Sequence, residues 1–226
     1  MTSGTLYIVS TPIGNLEDIT IRALRILKEV SLIAAEDTRH TQKLLNHFDI
    51  RVPLTSFFEQ NEKIKSANLI ARLKAGENIA LVSDAGTPGI SDPGFRLVRA
   101  AVEADVAVIP IPGACAAIAA LSAAGIPTDR FTFIGFLPDK PGKRRHTIEA
   151  LKPILNTLVF YLSPWKAGKT LESLAEVLGP RPACVARELT KVHEEWIHGT
   201  LEELATLAKK KPWKGEITLV VAGAIE

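Results

Sequence analysis

Short runs that are apolar almost throughout recur along the first half of the chain, among them Leu6-Tyr-Ile-Val9, Ile79-Ala-Leu-Val82 and Val106-Ala-Val-Ile109. A strand with one wet face alternates apolar and polar residues. A strand without that alternation is covered on both sides. Amphipathic stretches at 21–30, 38–48, 64–75 and 93–104 separate strand candidates at 5–10, 31–36, 78–83 and 106–111. Together they predict a mostly parallel sheet with helices on each face.

The second half carries strand candidates at 131–136, 157–162, 183–189 and 216–222, with helical patterns at 114–124, 147–155, 167–178 and 201–210. The segment 194–198 follows 183–189 after a short connection, as an antiparallel neighbour does. The expected architecture is two α/β domains, 1–112 with a mostly parallel sheet and 113–226 with a mixed one. Local chemistry predicts helix starts at Asp92-Pro93 and Ser163-Pro164, and a capping box at Thr200 and Glu203.

With 226 residues, 46% hydrophobic and 23% charged, the chain has enough apolar mass for packed cores and is not a disordered or fibrous composition. Lys and Arg number 27 against 25 Asp and Glu, so any nucleic-acid affinity must come from local patches. Val106–Thr128 is free of charge, but its three prolines and two glycines favour strand, turn and helix over a membrane span. The opening residues lack the pattern of a secretory signal, and a soluble, cytoplasmic protein is expected. Cys115 and Cys184 lie in apolar surroundings and are expected to be buried thiols in a reducing compartment. The five histidines show no ligand spacing and no metal site is expected. The three tryptophans are expected to pack.

Open α/β sheets take ligands beyond the carboxyl ends of their strands, so the loops there carry the search for chemistry. Four stand out. Ser10-Thr-Pro-Ile-Gly-Asn-Leu-Glu-Asp18 has neither the dinucleotide fingerprint nor a phosphate-binding P-loop ending. Ala35-Glu-Asp-Thr-Arg-His40 gathers charge, although Asp37 could serve only to cap the next helix. Ser83-Asp-Ala-Gly-Thr-Pro-Gly-Ile-Ser-Asp-Pro-Gly94 packs three glycines and two prolines into twelve positions, a stiff backbone that a ligand can approach closely. Pro110-Ile-Pro-Gly-Ala-Cys-Ala-Ala-Ile-Ala120 opens either a tightly packed helix or room for a flat ligand.

Taken together, these loops resemble the tetrapyrrole methylase superfamily of S-adenosylmethionine-dependent methyltransferases, and within it a branch acting on small-subunit ribosomal RNA. Arg187-Glu-Leu-Thr-Lys191 and Gly215-Glu-Ile-Thr218 extend the likeness, which runs from about residue 5 to 223. The family often adds a C-terminal extension, whose role is expected to be absent or supplied otherwise.

The resemblance implies a tetrapyrrole methylase-like fold with S-adenosylmethionine in a cleft between the domains. It further implies 2′-O-methylation of a cytidine in the decoding region of 16S ribosomal RNA, and a homodimer. Carried over by position, the cofactor contacts are Pro12, Ala85, Gly86, Thr87, Ile90, Cys115, Ala116 and Leu162, with Glu188 and Thr218 added. Many relatives have Asp where this chain has Thr87, and the ribosomal RNA branch shares the Thr.

A ribose hydroxyl needs a base or a cation to become a nucleophile. Carboxylates and cations at strand ends are Glu36, Asp37, Asp84, Asp92, Arg39, Lys166 and Lys191. Of these, Asp37 is expected to act as base or orienter, and Arg39 to contact the RNA backbone. Lys140, Lys143, Arg144 and Arg145, in a loop after 131–136, are the expected RNA-binding cluster for 16S rRNA or the small subunit. Two other readings stay open: methylation of a tetrapyrrole carbon, and a non-catalytic ribosome-binding protein of the same fold.

Overall fold

A computed structural model of the chain describes residues 3–224. Their contacts divide it into two units, Met1–Cys115 and Ala116–Glu226.

In the first unit, β1 (Thr5–Val9), β2 (Leu32–Ala35), β3 (Leu54–Ser56), β4 (Ile79–Val82) and β5 (Ala107–Ile111) form one sheet in the order β3-β2-β4-β1-β5. Every pairing in it is parallel. Successive residues of β4 point to opposite faces. Ala80 and Val82 pack with Ala23, Leu27 and Leu45, from α1 (Ile21–Glu29) and α2 (Thr38–His47). Ile79 and Leu81 pack with Leu69, Leu73 and Leu97, from α3 (Glu62–Lys74) and α4 (Phe95–Glu103). Both faces are covered, which is why these strands carry no polar alternation.

Strand β3 has no counterpart in the sequence reading. Three residues are too few for a periodic signal, and β3 is held by pairing with β2. The start of α4 also differs from expectation. Its N-cap is Gly94 at φ +148°, and the amides of Gly94 and Arg96 donate to the buried carboxylate of Glu62, at 3.0 and 3.2 Å. A carboxylate from a helix distant in sequence does the work assigned to Asp92.

The second unit runs α5 (Ala116–Ala123), β6 (Phe131–Phe136), α6 (Pro141–Leu151), β7 (Thr157–Leu162), α7 (Ala167–Leu178), β8 (Pro182–Arg187), β9 (Glu195–Thr200), α8 (Leu201–Lys210) and β10 (Ile217–Val221). The sheet order is β6-β7-β10-β8-β9, parallel between β6 and β7 and antiparallel elsewhere. Ile148, Leu171, Leu174 and Leu204 bring α6, α7 and α8 onto one face. Helix α5 packs against β7 and β10. The apolar stretch before and after Pro112 resolves into β5 and α5, and no helix among the described residues is long and apolar enough to cross a membrane.

Thr200 and Glu203 form the expected capping box. Three local expectations are corrected. Lys143, Arg144 and Arg145 lie in the first turns of α6, because Pro141 at its first position starts the helix earlier than the apolar pattern does. Helix α7 begins at Ala167 after Lys166, so Ser163-Pro164 precedes it. Trp165 is 93% exposed and packs into no core, whereas Trp213 lies against that of the second unit.

Candidate functional site

The chain leaves β1 towards β2 and leaves β4 towards β5, so the loops after these neighbouring strands cross the carboxyl edge in opposite directions. Such a crossing is where open α/β sheets take ligands. The two loops are tied together. Thr11 and Gly86 exchange both backbone hydrogen bonds, Thr11 N–H to Gly86 O at 2.9 Å and Gly86 N–H to Thr11 O at 3.0 Å. The Thr11 hydroxyl donates to Ser83 O at 3.1 Å. The Ser10 and Thr87 hydroxyls lie 2.9 Å apart, and Thr87 also donates to Ala114 O at 3.1 Å. Thr87 thereby joins three of the four conspicuous loops. Gly86 and Gly89 both sit at φ +83°, a region costly for other residues. Pro12, Ala85, Thr87, Cys115 and Ala116 remain partly open to solvent, and Ile90 is exposed.

Beside this frame lies an acidic group. Asp84 accepts from the Asp37 amide at 3.0 Å. Burial pushes the Asp92 carboxyl up to about 6, and the charges of Glu36 and Asp84 add to this against an opposing hydrogen bond from Ser83. Glu36 is raised as well, by burial first and then by Asp84. Asp37 behaves differently. Its carboxylate caps α2, accepting from the amides of Arg39 at 2.8 Å and His40 at 3.4 Å, and these bonds hold it below the ordinary range. Arg39 is exposed on the first turn of that helix. Sequence order alone gave no means of ranking the carboxylates; burial supplies it.

The second unit has its own polar group at the ends of β7 and β8 and the start of β10. Glu188 and Thr190 take left-handed backbone angles, φ +52° and +67°. Such strain persists only where surroundings enforce it. The Glu188 carboxylate accepts from the Glu216 amide at 2.8 Å and from Lys191 Nζ at 3.0 Å, and Lys191 also binds Glu216 at 2.9 Å. Burial would raise Glu188, but these donors together hold it low. Gly215 leaves room for that carboxylate, since a Cβ there would fall 2.2 Å from it. The Thr190 hydroxyl oxygen is buried and has no hydrogen-bond partner among the described residues. Thr218 and Leu162 are buried on β10 and β7, and Tyr161 accepts from the Ala117 amide at 3.3 Å.

The basic cluster is split by its surroundings. Arg144 is half-buried, with Nε donating to Ser173 at 3.2 Å. Lys140 and Lys143 are exposed, and Arg145 pairs with Glu149 at 2.9 Å.

The family model described as Tetrapyrrole (Corrin/Porphyrin) Methylases matches residues 5–205. A protein named Ribosomal RNA small subunit methyltransferase I from Halalkalibacterium halodurans is 54% identical over 220 residues, covering 97% of this chain and 76% of that protein. Its namesake from Escherichia coli O157:H7 is 53% identical over 224 residues, covering 97% and 78%. Among solved structures, uroporphyrin-III C-methyl transferase from Thermus thermophilus complexed with S-adenyl homocysteine superposes at a TM-score of 0.67. It is 18% identical and covers 97% of each chain. A diphthine synthase superposes at 0.71 with 18% identity, covering 99% of this chain and 92% of that one. At such identity the likeness is one of fold, and this fold hosts different acceptors. A family model spanning most of the length, and relatives sharing about half of their residues with it, establish that the chain belongs to the tetrapyrrole methylases, in the group named ribosomal RNA small subunit methyltransferase I.

Proposed function

We propose that the chain is a cytoplasmic, homodimeric enzyme that methylates the ribose 2′-hydroxyl of a cytidine in the decoding region of 16S ribosomal RNA, with S-adenosylmethionine as donor and no metal. The observation that carries this reading is the shared identity of about half, over nearly the whole chain, with proteins named as small-subunit ribosomal RNA methyltransferases.

A cationic donor suits the residues present. Glu36, Asp84 and Asp92 gather beside the Thr11–Gly86 frame, where burial first and their mutual repulsion second raise Glu36 and Asp92. S-adenosylmethionine, when bound, supplies a methyl group on a positively charged sulfur. In the first unit Pro12, Ala85, Gly86, Thr87, Ile90 and Cys115 would contribute contacts to it; Ala116, Leu162, Glu188 and Thr218 are the candidates within the second unit. The Ser10–Thr87 contact and the Thr11–Gly86 pair fix the loops before any ligand arrives, so little order remains to be gained on binding.

Asp92 suits the task of receiving the hydroxyl proton, because a base near neutrality does so best. Asp37, its Oδ1 engaged by α2, orients that helix start, and Arg39 on it contacts the RNA backbone. Lys140, Lys143, Arg144 and Arg145 contribute phosphate contacts.

Mass spectrometry of nucleosides from small-subunit RNA, in cells with and without the gene, tests the reading. Loss of one 2′-O-methylcytidine, restored by the gene, is expected; an unchanged nucleoside profile overturns it.

A further inference from the structure

The second unit contains a cavity of about 400 Å³ where β6 and β7 end and α6 and α7 begin. Its lining includes Phe136, Asp139, Arg144, Tyr161, Leu162 and Lys166. The volume lies near the low end of the roughly 300–1,000 Å³ of small-molecule sites, too little for a duplex.

Its chemistry is cationic and aromatic together. The Arg144 guanidinium is oriented by neutral oxygens, Nε on the Ser173 hydroxyl at 3.2 Å and Nη1 on the Asp139 carbonyl at 3.4 Å. Among the described residues it has no carboxylate partner, so its charge stays available. Lys166 is held by the Asp139 carboxylate at 2.6 Å in an exposed pair, which an incoming anion can displace. Among the described residues neither α6 nor α7 has a side-chain cap, so first-turn amides at both helix starts are unengaged by side chains. Phe136 is 59% exposed and lies 5.6 Å from Tyr161, centroid to centroid. Trp165, beside Lys166 in the chain, leaves almost its whole indole in water. Exposed rings next to cations are how proteins grip single-stranded nucleic acid, rings for bases and cations for phosphates.

We propose that this cavity holds one unstacked nucleotide of a single-stranded RNA segment, its phosphate on Arg144 and Lys166, its base against Phe136, with Trp165 stacking a neighbouring base. This rests on the reading of the chain as an RNA methyltransferase and divides the basic run into unequal parts. Arg144 faces the ligand, whereas Arg145 lies outside the cavity, bound to Glu149. Asp139 is a built-in competitor of the phosphate.

The test uses the intact chain, a fluorescent single-stranded RNA dodecamer and a duplex of the same sequence, with affinity read by anisotropy across a salt series. Calorimetry with S-adenosylmethionine and a thermal midpoint accompany each variant. The unmodified chain should prefer the single strand. Arg144→Gln with Lys166→Gln should lower the salt slope by about 0.7, the share of one phosphate on a single strand. Trp165→Ala should weaken binding on the order of tenfold with the slope kept. Asp139→Asn should tighten it, which loss of a merely structural ion pair would not do. Arg145→Gln should cost less than Arg144→Gln, because Glu149 already engages the Arg145 guanidinium.

An unchanged slope in the double variant, or equal losses at Arg144 and Arg145, overturns the cavity assignment while RNA binding by the unmodified chain stands. A tenfold loss of S-adenosylmethionine affinity in the double variant assigns the cavity to the donor and also overturns it. If the unmodified chain binds neither RNA form and methylates no ribosomal RNA, the underlying reading fails instead.

Discussion

A carboxyl that holds its proton up to about pH 6 sets two behaviours at once. The folded Asp92 binds a proton more tightly than an unfolded aspartate, whose ordinary value is 3.8. Its contribution to stability is therefore greatest in acid and declines as pH rises from about 4 to about 6. Asp92→Asn should raise the calorimetric midpoint at pH 8 and leave it nearly unchanged at pH 4. The same variant should reduce turnover by about 10²-fold or more if Asp92 receives the hydroxyl proton. A midpoint that shifts equally at both pH values would show that ionisation is not the cause. Asp37 invites a different substitution. Asn caps helices about as well as Asp, so Asp37→Asn should keep α2 and the thermal midpoint intact. A loss of turnover without a loss of S-adenosylmethionine affinity would then assign the charge itself a part in catalysis.

At the level of elements, the glycine- and proline-rich loop after β4 is stiffened from outside. Glu62 of α3 fastens its last residue and the first turn of α4. Glu62→Ala would orphan two amides next to Leu81 and should lower stability by about 1–3 kcal/mol, measurable by urea unfolding. S-adenosylmethionine affinity should fall with it if the loop is the donor's seat. The sequence made four of the five strands of the first sheet readable, because covering both faces removes polar residues from them. It also made the capping box readable, where the partners lie three residues apart. It did not reveal β3, which is held by its neighbour rather than by pattern, nor Glu62, whose partner lies about thirty residues away. The start of α6 was hidden for another reason: Pro141-Gly142 suits a turn as well as a first helical turn. For the candidate site, the loops were legible from composition, but the ranking of Asp92 over Asp37 was not, since burial is a property of the folded chain.

Across the whole molecule the charge is unevenly shared. Residues 1–115 carry 12 Lys and Arg against 13 Asp and Glu, and residues 116–226 carry 15 against 12. The near-zero total conceals an acidic group beside the Thr11–Gly86 frame and cations around the cavity of the second unit. A positively charged donor should therefore bind more weakly as pH falls through about 6, because protonation of Asp92 removes the charge that favours it. The neutral demethylated product should show a flatter profile. Calorimetric titrations of both compounds at pH 5.5 and 7.5 would decide; parallel profiles would exclude Asp92 as the source.

The two thiols are as unequal as the charges. Cys184 is fully buried on β8, and burial pushes it up to about 11, whereas Cys115 is partly accessible at the end of the first unit. A maleimide dye added to the native protein will consequently attach at one point only. A fluorophore can thus be placed at Cys115, next to Ala116 where the second unit starts, without removing any other cysteine, and its emission can report events at that junction as they happen.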